Sequence, residues 1–375
     1  MKIFFDATTL VRGTEVAVGI PKYTEELLVG LKQQENVRVV SWQPWRIPFF
    51  GRHVLLPLYA WMTRADVLVC PANQSPLFWR GKTVVVVHDL SVYECPEWFP
   101  ESHGTYVARI GQWLTARSIE CADRIVAISN ATKSQIGRVF GVAMLEKTTV
   151  VYPGTRAVIQ SEAKDLSSES VKPNERSFGL RPLDDVVVFV GTLEPRKNLT
   201  IALEAFDRFL TNYPDRVRTT RFVVAGKIGW KADAILAAID NVNHRWQDVA
   251  RADVVQYVGS LSEQEKQELF RQASLLLFPS LWEGFGLPVI EAQAAGVPVM
   301  TSDRGALPEA GGDAAMYVDA EDAESMALAI AQCLLVPEGV VWMKEAGKQN
   351  AARFTWERAA RGVVDVIATL FGGTR

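Results

Sequence analysis

Short, uninterrupted apolar runs alternate with helix-like stretches along most of this chain. The runs form two series, residues 2–5, 37–41, 67–70, 83–88, 124–128 and 148–152, then 186–190, 221–225, 254–258, 275–279 and 297–301. Strands that are apolar on both faces are typical of parallel sheets covered by helices. Alternation of such strands with helices predicts doubly wound α/β units. Since 375 residues suit two domains, we predict two Rossmann-like parallel-sheet domains.

A polar stretch over residues 157–182 separates the two series and lacks periodicity. It predicts an N-terminal domain over 1–160, a linker over 161–183 and a second domain over 184–353. A long functional loop within one domain is the alternative. If the two domains face each other, the carboxyl ends of their strands meet at a central cleft, where a ligand is expected.

Charge and cysteine content narrow the possible partners. The chain has 40 basic and 43 acidic residues and a net charge of −3, which gives no overall attraction to nucleic acid. Its four scattered cysteines predict neither a disulfide framework nor a zinc site and fit a cytoplasmic protein. We expect no signal peptide, because Asp6 interrupts a short apolar run.

Residues 47–62 are the nearest approach to a membrane segment. Arg52, His53 and two prolines break the apolar run, which is also shorter than the roughly 18 residues that a span needs. We predict a buried or surface helix here, and the sequence leaves contact with a membrane surface open.

The stretch LLLFPSLWEGFGLPVIEAQAAGVPVMTS, residues 275–302, carries the most chemical information. After a strand and a loop with two glycines, Pro288 and Gly296 predict a short helix over 288–295. The N–H groups of residues 284–287 lack intrahelical partners at the start of that helix. Together with the helix dipole they form a predicted site for phosphate.

Two carboxylates flank this turn. Glu291 lies one turn into the predicted helix, and helical side chains tilt toward the N-terminus. Glu283 precedes the glycine loop and approaches from the strand side. Both can accept hydrogen bonds from hydroxyls such as those of a ribose and a hexose. Acids that merely complement the helix dipole would explain either glutamate alone, but not both with GFGLP between them.

The pattern Glu283-x7-Glu291 in EGFGLPVIEAQAAGVPV resembles the retaining glycosyltransferases of family 4 in the carbohydrate-enzyme classification. The resemblance extends to VGTLEPRKN (190–198), ARFTWERAA (352–360) and VHDL (87–90), and so covers nearly the whole chain. It implies the GT-B fold and transfer of a sugar from a nucleotide diphosphate with retention. It also implies that a C-terminal helix, within residues 354–375, crosses back to the N-terminal domain.

The resemblance also implies the donor site. Arg196 and Lys197 would bind the donor pyrophosphate and stabilise the departing nucleoside diphosphate. Cations at the start of a helix oppose its dipole, so a bound anion would explain why two of them occur there. Glu283 would touch the transferred sugar and Glu291 the ribose. The remaining donor-binding residues are Gly19, Gly191, Gly259, Gly284, Phe285, Gly286 and Leu287.

Two of the implied positions carry an alternative. Gly19 opens a helix near Pro21 and would lie close to the donor phosphate and the acceptor, although a simple turn explains it too. His88 ends a strand, and the resemblance implies a catalytic role at the sugar, with Asp89 orienting the imidazole. A structural histidine is the alternative. Gly259, in the turn over 258–261, would line the pocket for the nucleotide base.

No DxD motif stands at a strand end, so we expect no metal ion and no cofactor beyond the nucleotide-sugar co-substrate. We favour a same-face reaction through an oxocarbenium-like state over a nucleophilic Glu283. A dehydrogenase is disfavoured because Gly284-Phe285-Gly286 lacks a third glycine at Val289. A sugar-nucleotide epimerase, a phosphorylase or an inactive sugar-binding scaffold would share the predicted fold without the transfer reaction.

The stretch SDRGALPEAGGDAAMYVDAED, residues 302–322, is similar to bacterial enzymes that build O-antigen and exopolysaccharide chains. This similarity implies a mannosyltransferase that uses GDP-mannose in polysaccharide and lipopolysaccharide biosynthesis, with UDP-hexoses as the alternative donors. It implies a glycan or lipid-linked oligosaccharide as acceptor. A lipid-linked acceptor would bring the protein to the periphery of the inner membrane.

Overall fold

The computed structural model describes residues 1–10, 19–43, 48–100, 106–155, 185–250, 252–336 and 338–372. The predicted linker over 161–183 lies outside the described residues. Contacts divide the chain into two compact units, one comprising Met1–Gly154 with Phe354–Arg375 and the other Thr155–Arg353. Each unit contains one six-stranded sheet.

All strand pairs of the N-terminal unit are parallel. The strands are β1 Lys2–Asp6, β2 Arg38–Trp42, β3 Val67–Cys70, β4 Thr83–Val87, β5 Arg124–Ala127 and β6 Thr148–Val150. Their order is β2-β1-β3-β4-β5-β6, with Ile3 of β1 level with Val39 on one side and Val67 on the other. The residues of β3 and β4 are all buried, as expected of strands covered on both faces.

The helices of this unit follow the strands in turn. They are α1 Ile20–Lys32, α2 Pro48–Phe50, α3 Leu56–Met62, α4 Ser91–Glu94, α5 Tyr106–Cys121, α6 Asn130–Phe140, α7 Ala143–Glu146 and, at the C-terminus, α15 Trp356–Ala368. Helix α15 packs against α1. A Cβ at Gly30 of α1 would lie 3.0 Å from the Cβ of Ala360, so the close contact of the two helices requires glycine there.

The C-terminal unit has a second, entirely parallel sheet. Its strands are β7 Asp185–Val190, β8 Thr220–Ala225, β9 Val255–Gly259, β10 Leu275–Phe278, β11 Val299–Ser302 and β12 Ala315–Val318. Their order is β12-β11-β10-β7-β8-β9, so the direction of winding reverses between β7 and β10. Ligands of such sheets bind outside the carboxyl ends of the strands at this reversal.

The helices of the C-terminal unit cover the sheet between successive strands. They are α8 Leu199–Asn212, α9 Asp233–Trp246, α10 Glu263–Gln272, α11 Leu287–Ala294, α12 Leu307–Gly311, α13 Ala323–Leu335 and α14 Glu338–Ala351. Residues of α8, among them Leu203, Phe206 and Phe209, are fully buried. Four residues of β7, from Val186 to Phe189, form the centre of the same core.

The predicted fold class, two doubly wound parallel-sheet domains, is confirmed. The strand β12 was not predicted from the sequence. Its four residues, AMYV, form a short apolar run, and only the first of them is buried at this edge of the sheet. Helix α11 begins one residue earlier than predicted, with Pro288 in its first turn. The segment over 47–62 is helical where it is described.

No single helix in the described part of the chain is long and apolar enough to cross a membrane. Helices α13 and α14 reach that length and composition only as a pair, which is bent by 90°.

Candidate active site

The loops that leave β7 and β10 meet at the reversal of the C-terminal sheet. The loop after β7 contains a short 3-10 turn, Pro195–Lys197, and the loop after β10 leads to α11. The backbone N–H of Leu281 donates to the carbonyl oxygen of Arg196 at 2.8 Å. This bond joins the two loops and brings their charged side chains together.

Four charged side chains form a buried cluster at this junction. Lys197 donates from Nζ to Glu283 Oε1 at 2.5 Å, and Arg196 Nη1 lies 3.3 Å from Glu283 Oε2. Arg196 also donates to the carbonyl oxygen of Trp282 at 2.7 Å and to Glu194 Oε1 at 2.7 Å. The structure thus unites the three predicted residues Arg196, Lys197 and Glu283.

The cluster keeps Glu283 ionised despite its burial. Burial alone would raise the pKa of this carboxyl, but the charges of Lys197 and Arg196 and the hydrogen bond from Lys197 hold it below its ordinary value. Burial lowers the pKa of Lys197, while the charge of Glu283 acts in the opposite direction. The site therefore holds a carboxylate and a partly desolvated cation next to each other.

The sequence analysis missed Glu194 and Asn198. Glu194 is buried and limits where the guanidinium of Arg196 can lie. Asn198 adopts a left-handed conformation, with φ of 57°, and donates from Nδ2 to the carbonyl oxygens of Pro279 and Ala320 at 3.2 and 2.6 Å. Both residues lie within GTLEPRKN, so their proximity to the basic pair was the available signal.

The residues Gly284, Phe285, Gly286 and Leu287 lie at the start of α11. Gly286 caps the helix in a left-handed conformation, with φ of 104°, and a Cβ there would lie 2.9 Å from Leu307 Cδ2. Because glycine has no side chain, the cap residue itself supplies no hydrogen-bond acceptor to the first turn. This arrangement is compatible with the predicted phosphate site, which stays a prediction.

The loop after β11 contacts the backbone of Glu283. The backbone N–H of Ala306 donates to the carbonyl oxygen of Glu283 at 3.0 Å. A Cβ at Gly305, where φ is 59°, would lie 2.7 Å from that oxygen. Gly305 is therefore required for the close approach that fixes the backbone of Glu283, a relation that no local sequence pattern reveals.

Glu291 has a partner that the sequence analysis did not predict. Its Oε2 lies 2.8 Å from Nζ of Lys266 on α10, and the same ammonium lies 3.0 Å from Oε1 of Glu263. The side chains of Lys266 and Glu291 are 13% and 12% exposed. Lys266 therefore limits the directions in which the carboxylate of Glu291 can point.

Gly191 and Gly259 lie at the carboxyl ends of their strands. The N–H of Gly191 donates to the carbonyl oxygen of Ala225, and the N–H of Gly226 donates to that of Gly259, at 2.9 and 2.8 Å. A Cβ at Gly226 would lie 1.8 Å from the carbonyl oxygen of Gly191. Gly226 therefore lets the backbones after β7 and β8 lie close together.

Gly19 and His88 belong to the N-terminal unit. Gly19 precedes α1 with φ of 62°, and a Cβ built there meets nothing within 4 Å. His88 is 8% exposed and follows β4. Positive φ rather than lack of space therefore favours glycine at position 19.

The imidazole of His88 is engaged within its own unit. Because a carbonyl only accepts, Nε2 carries the proton and donates to the oxygen of Pro71 at 2.6 Å. The carboxylate of Asp89, the predicted orienting residue, accepts from the N–H of Ser91 at 2.6 Å. The ring of Tyr23 lies edge-on, 4.5 Å from the imidazole. Burial lowers the pKa of His88 to about 4, so the ring is neutral near pH 7.

The low pKa of His88 predicts a loss of stability in mild acid. The unfolded chain binds a proton near pH 6.5, whereas the folded chain binds it only near pH 4, so stability falls as the pH falls through this window. Between pH 7 and 5, wild-type protein should lose about 2 kcal/mol more than His88→Gln, which keeps an N–H donor. Urea unfolding at both pH values measures this difference.

The matched control for this pH effect is His244→Gln, which changes an exposed histidine of the C-terminal unit. It should retain the wild-type dependence on pH. Equal dependence in wild type and His88→Gln would contradict a neutral, buried imidazole at position 88.

Comparison with known families covers most of the chain. A family described as Glycosyltransferase Family 4 matches residues 10–157, and one described as Glycosyl transferases group 1 matches residues 171–350. The first region contains the strands β2 to β6 of the N-terminal sheet, and the second contains all six strands of the C-terminal sheet.

Individual relatives are distant. The chain is 28% identical over 295 residues to O-antigen chain mannosyltransferase B of Escherichia coli. This match covers 77% of this chain and 71% of the relative. It is 29% identical over 257 residues to D-inositol 3-phosphate glycosyltransferase 2 of Catenulispora acidiphila. That match covers 67% of this chain and 57% of the relative, little more than half its length.

Among solved structures, sucrose-phosphate synthase from Thermosynechococcus elongatus is similar over 100% of both chains, with a TM-score of 0.73. The sequence identity is 17%. At that identity, the structural similarity shows a shared fold but does not identify the substrates of this chain.

Proposed function

Because this chain is a GT-B glycosyltransferase with a family 4 and a group 1 domain, we propose that it transfers mannose from GDP-mannose to a glycan or lipid-linked oligosaccharide. We further propose that the reaction retains the anomeric configuration and serves bacterial polysaccharide biosynthesis. The observation that carries the proposal is the buried contact of Arg196 and Lys197 with Glu283 at the reversal of the C-terminal sheet.

The proposed donor uses charges that are already in place. Its diphosphate lies at the start of α11 and takes hydrogen bonds from Arg196 and Lys197. Glu283 then exchanges part of its contact with these cations for the hydroxyls of the sugar. As the bond between the sugar and the diphosphate breaks, Arg196 and Lys197 stabilise the charge on the leaving group.

For retention, we propose that the acceptor hydroxyl attacks the face from which the diphosphate leaves. A new bond forms from the acceptor oxygen to the anomeric carbon while the bond to the phosphate oxygen breaks. The acceptor proton passes to the departing phosphate. Detection of a covalent glycosyl adduct on Glu283 by mass spectrometry would replace this route with a double displacement.

The choice of donor rests on residues 302–322 and on the O-antigen mannosyltransferase relative. A thermal-shift screen of GDP, UDP and ADP and their sugars tests it. GDP and GDP-mannose should raise the melting temperature most, since a ligand at 100 times its Kd stabilises by about 2.7 kcal/mol. The variant Lys197→Met should lose most of this shift. A shift with UDP-hexoses alone would make the chain a UDP-sugar transferase instead.

We propose that the reaction needs neither a metal ion nor a cofactor, because Arg196, Lys197 and the start of α11 supply the positive field that a diphosphate requires. Turnover should therefore survive an excess of chelator. Complete loss of turnover that manganese restores would contradict this proposal.

Glu291 provides a test of donor binding. Loss of a hydrogen bond from a hydroxyl to a charged acceptor costs about 1.5–3 kcal/mol. Glu291→Gln should therefore raise the KM for the donor about 10- to 100-fold and change kcat little, because the ribose contact is equal in ground and transition states. Initial rates over a range of donor concentrations measure both constants.

The control for this measurement is Glu263→Gln, which removes the other carboxylate that contacts Lys266 but leaves Glu291 intact. Its KM should stay near that of the wild type. A reduced kcat at unchanged KM in Glu291→Gln would contradict the ribose role.

A further inference from the structure

The helical segment from Pro48 to Met62 has an unusual outer face. It consists of α2, a π-helical turn, Gly51–Leu55, and α3. On its inner side, Leu56 and Ala60 are fully buried in the core of the N-terminal unit. The exposed side chains are also apolar, namely Phe49, Phe50, Leu55, Leu58, Trp61 and Met62. A helix that is apolar all round belongs in an apolar environment.

Trp61 and Met62 are the most prominent members of this face. They are 73% and 65% exposed. Isolated exposed apolar side chains are ordinary, but contiguous ones mark an interaction site. The outer face of α2 and α3 therefore has the composition of an interaction site.

Hydrogen bonds connect this segment to α5 through the loop that follows β3. Arg52 donates to the carbonyl and side-chain oxygens of Gln74, and Gln74 donates in turn to Gly111 and Thr115 of α5. Ile119 of α5 lies in the same core cluster as Leu56. The neighbouring elements add two exposed aromatic side chains, Phe78 at 62% and Trp113 at 54%.

The charges of these elements are mainly positive, with the exposed Glu120 near the end of α5 as an acidic exception. Residues 48–64, 75–82 and 106–117 contain no aspartate or glutamate, although the whole chain carries a net charge of −3. Their basic residues are Arg52, Arg64, Arg80, Lys82, Arg109 and Arg117. The guanidinium of Arg52 is paired with the buried carboxylate of Asp6 at 3.0 Å and is therefore not available to a partner. Arg109 and Arg117 lie four residues on either side of Trp113, so all three share one stripe of α5.

Three of these cations also line a cavity. Arg80, Lys82 and Arg117 surround a space of about 360 Å³ in the N-terminal unit, together with Asp123. The ammonium of Lys82 donates to the carbonyl oxygen of Leu370 and lies 3.7 Å from the ring centroid of Phe371, so Arg80 and Arg117 are the cations that remain for an anion. The carboxylate of Asp123 accepts the N–H of Thr83 at 2.8 Å. The cavity therefore offers cations to an anionic head group beside the exposed aromatic side chains.

We propose that this face, defined by the outer side of residues 48–64, the loop over 75–82 and the exposed stripe of α5, docks on the surface of an anionic phospholipid bilayer. Exposed Trp and Phe next to Arg and Lys are the pattern of proteins that lie at a membrane interface. Each basic residue near such a surface adds attraction to anionic lipids. Two copies of this face would instead bring like charges together.

The inference rests on the proposed function in one respect, since docking would place the N-terminal unit at a lipid-linked acceptor. Binding to vesicles uses neither donor nor acceptor. A failure of docking is therefore distinguishable from a failure of the proposed transfer reaction.

Sedimentation of the full chain with vesicles of phosphatidylglycerol and phosphatidylcholine tests the proposal. We expect binding to phosphatidylglycerol vesicles that falls about 10- to 100-fold in Trp61→Gln/Met62→Gln, because two large apolar groups no longer enter the interface. Trp342→Gln is the matched control, since Trp342 is 51% exposed on α14 of the C-terminal unit. It should bind as the wild type does.

A second variant tests the electrostatic part. Arg80→Gln/Arg117→Gln should lower binding to phosphatidylglycerol vesicles about 10-fold or more and leave the weak binding to phosphatidylcholine unchanged. Arg271→Gln on α10 is its control and should retain binding. Circular dichroism of each variant establishes that the fold persists.

Three outcomes would overturn the proposal. The first is the absence of vesicle binding by the wild type. The second is equal binding to neutral and anionic vesicles. The third is self-association of the wild type, measured by light scattering, that Trp61→Gln/Met62→Gln abolishes, because a second copy of the chain would then cover the face.

Discussion

Replacing Lys197 with Met should lower kcat by about 10²- to 10³-fold, the usual cost of removing one group that stabilises charge in a transition state. Met matches the length of the lysine side chain but carries no charge. Glu283 keeps Arg196 as a partner at 3.3 Å, so the variant should fold. Release of nucleoside diphosphate at saturating donor measures the loss.

Two further variants separate charge from general damage. Lys197→Arg restores a cation and should recover part of the turnover. Lys344→Met removes an exposed lysine from α14 of the same unit and should leave kcat unchanged. If Lys197→Met turned over within about threefold of the wild type, Lys197 would have no role at the leaving group.

Replacing Glu283 with Gln should both abolish most turnover and destabilise the C-terminal unit by about 3–5 kcal/mol. The reason is that the buried ammonium of Lys197 loses its carboxylate partner. Leaving this charge unpaired lowers the free energy of unfolding by more than the intact ion pair contributes. Lys197 and Glu283 are 11% and 9% exposed in their side chains, so solvent compensates little. Calorimetry that resolves the unfolding of the two units measures the change.

A double-mutant cycle, which measures the coupling between Lys197 and Glu283, is the control for this prediction. In Lys197→Met/Glu283→Gln the uncompensated cation is removed, so the double variant should be more stable than Glu283→Gln alone. Glu268→Gln breaks an exposed ion pair with Arg271 on α10 and should cost less than about 1 kcal/mol. Additive effects of the two site mutations would show that Lys197 and Glu283 are not coupled.

In the proposed mechanism, the pair of Lys197 and Glu283 serves both donor binding and stability. Before the donor arrives, Glu283 neutralises Lys197 and Arg196 and thereby limits the cost of their burial. In the proposed complex the diphosphate takes over part of that role. The carboxylate then becomes available to the sugar, which links donor binding to the orientation of Glu283.

The positions of most strands and of α11 were predictable from the sequence alone. Continuous apolar runs identify strands that are buried on both faces, and Pro288 and Gly296 mark the ends of a helix. The resemblance to family 4 singled out Arg196, Lys197, Glu283 and Glu291 through their motifs. These features are local in the chain, or are carried by motifs of fewer than ten residues.

Contacts between distant parts of the chain required the structure. The strand order β12-β11-β10-β7-β8-β9 decides that the loops after β7 and β10 are neighbours. That order brings Lys197 to Glu283, 86 residues away. The partner of Glu291, Lys266, and the glycine that supports Glu283, Gly305, are likewise supplied by the fold, because no local pattern encodes which loops meet.

The sequence by itself therefore determined two parallel-sheet domains and, through its resemblance to family 4, predicted which residues form the donor site. The tertiary structure decided the partner of each polar side chain at these positions: Glu194 for Arg196, Glu283 for Lys197, and the carbonyl oxygen of Pro71 for His88. The physical reason is that burial removes water from these groups, so each must find a partner in the fold. That partner is chosen by strand order and loop packing.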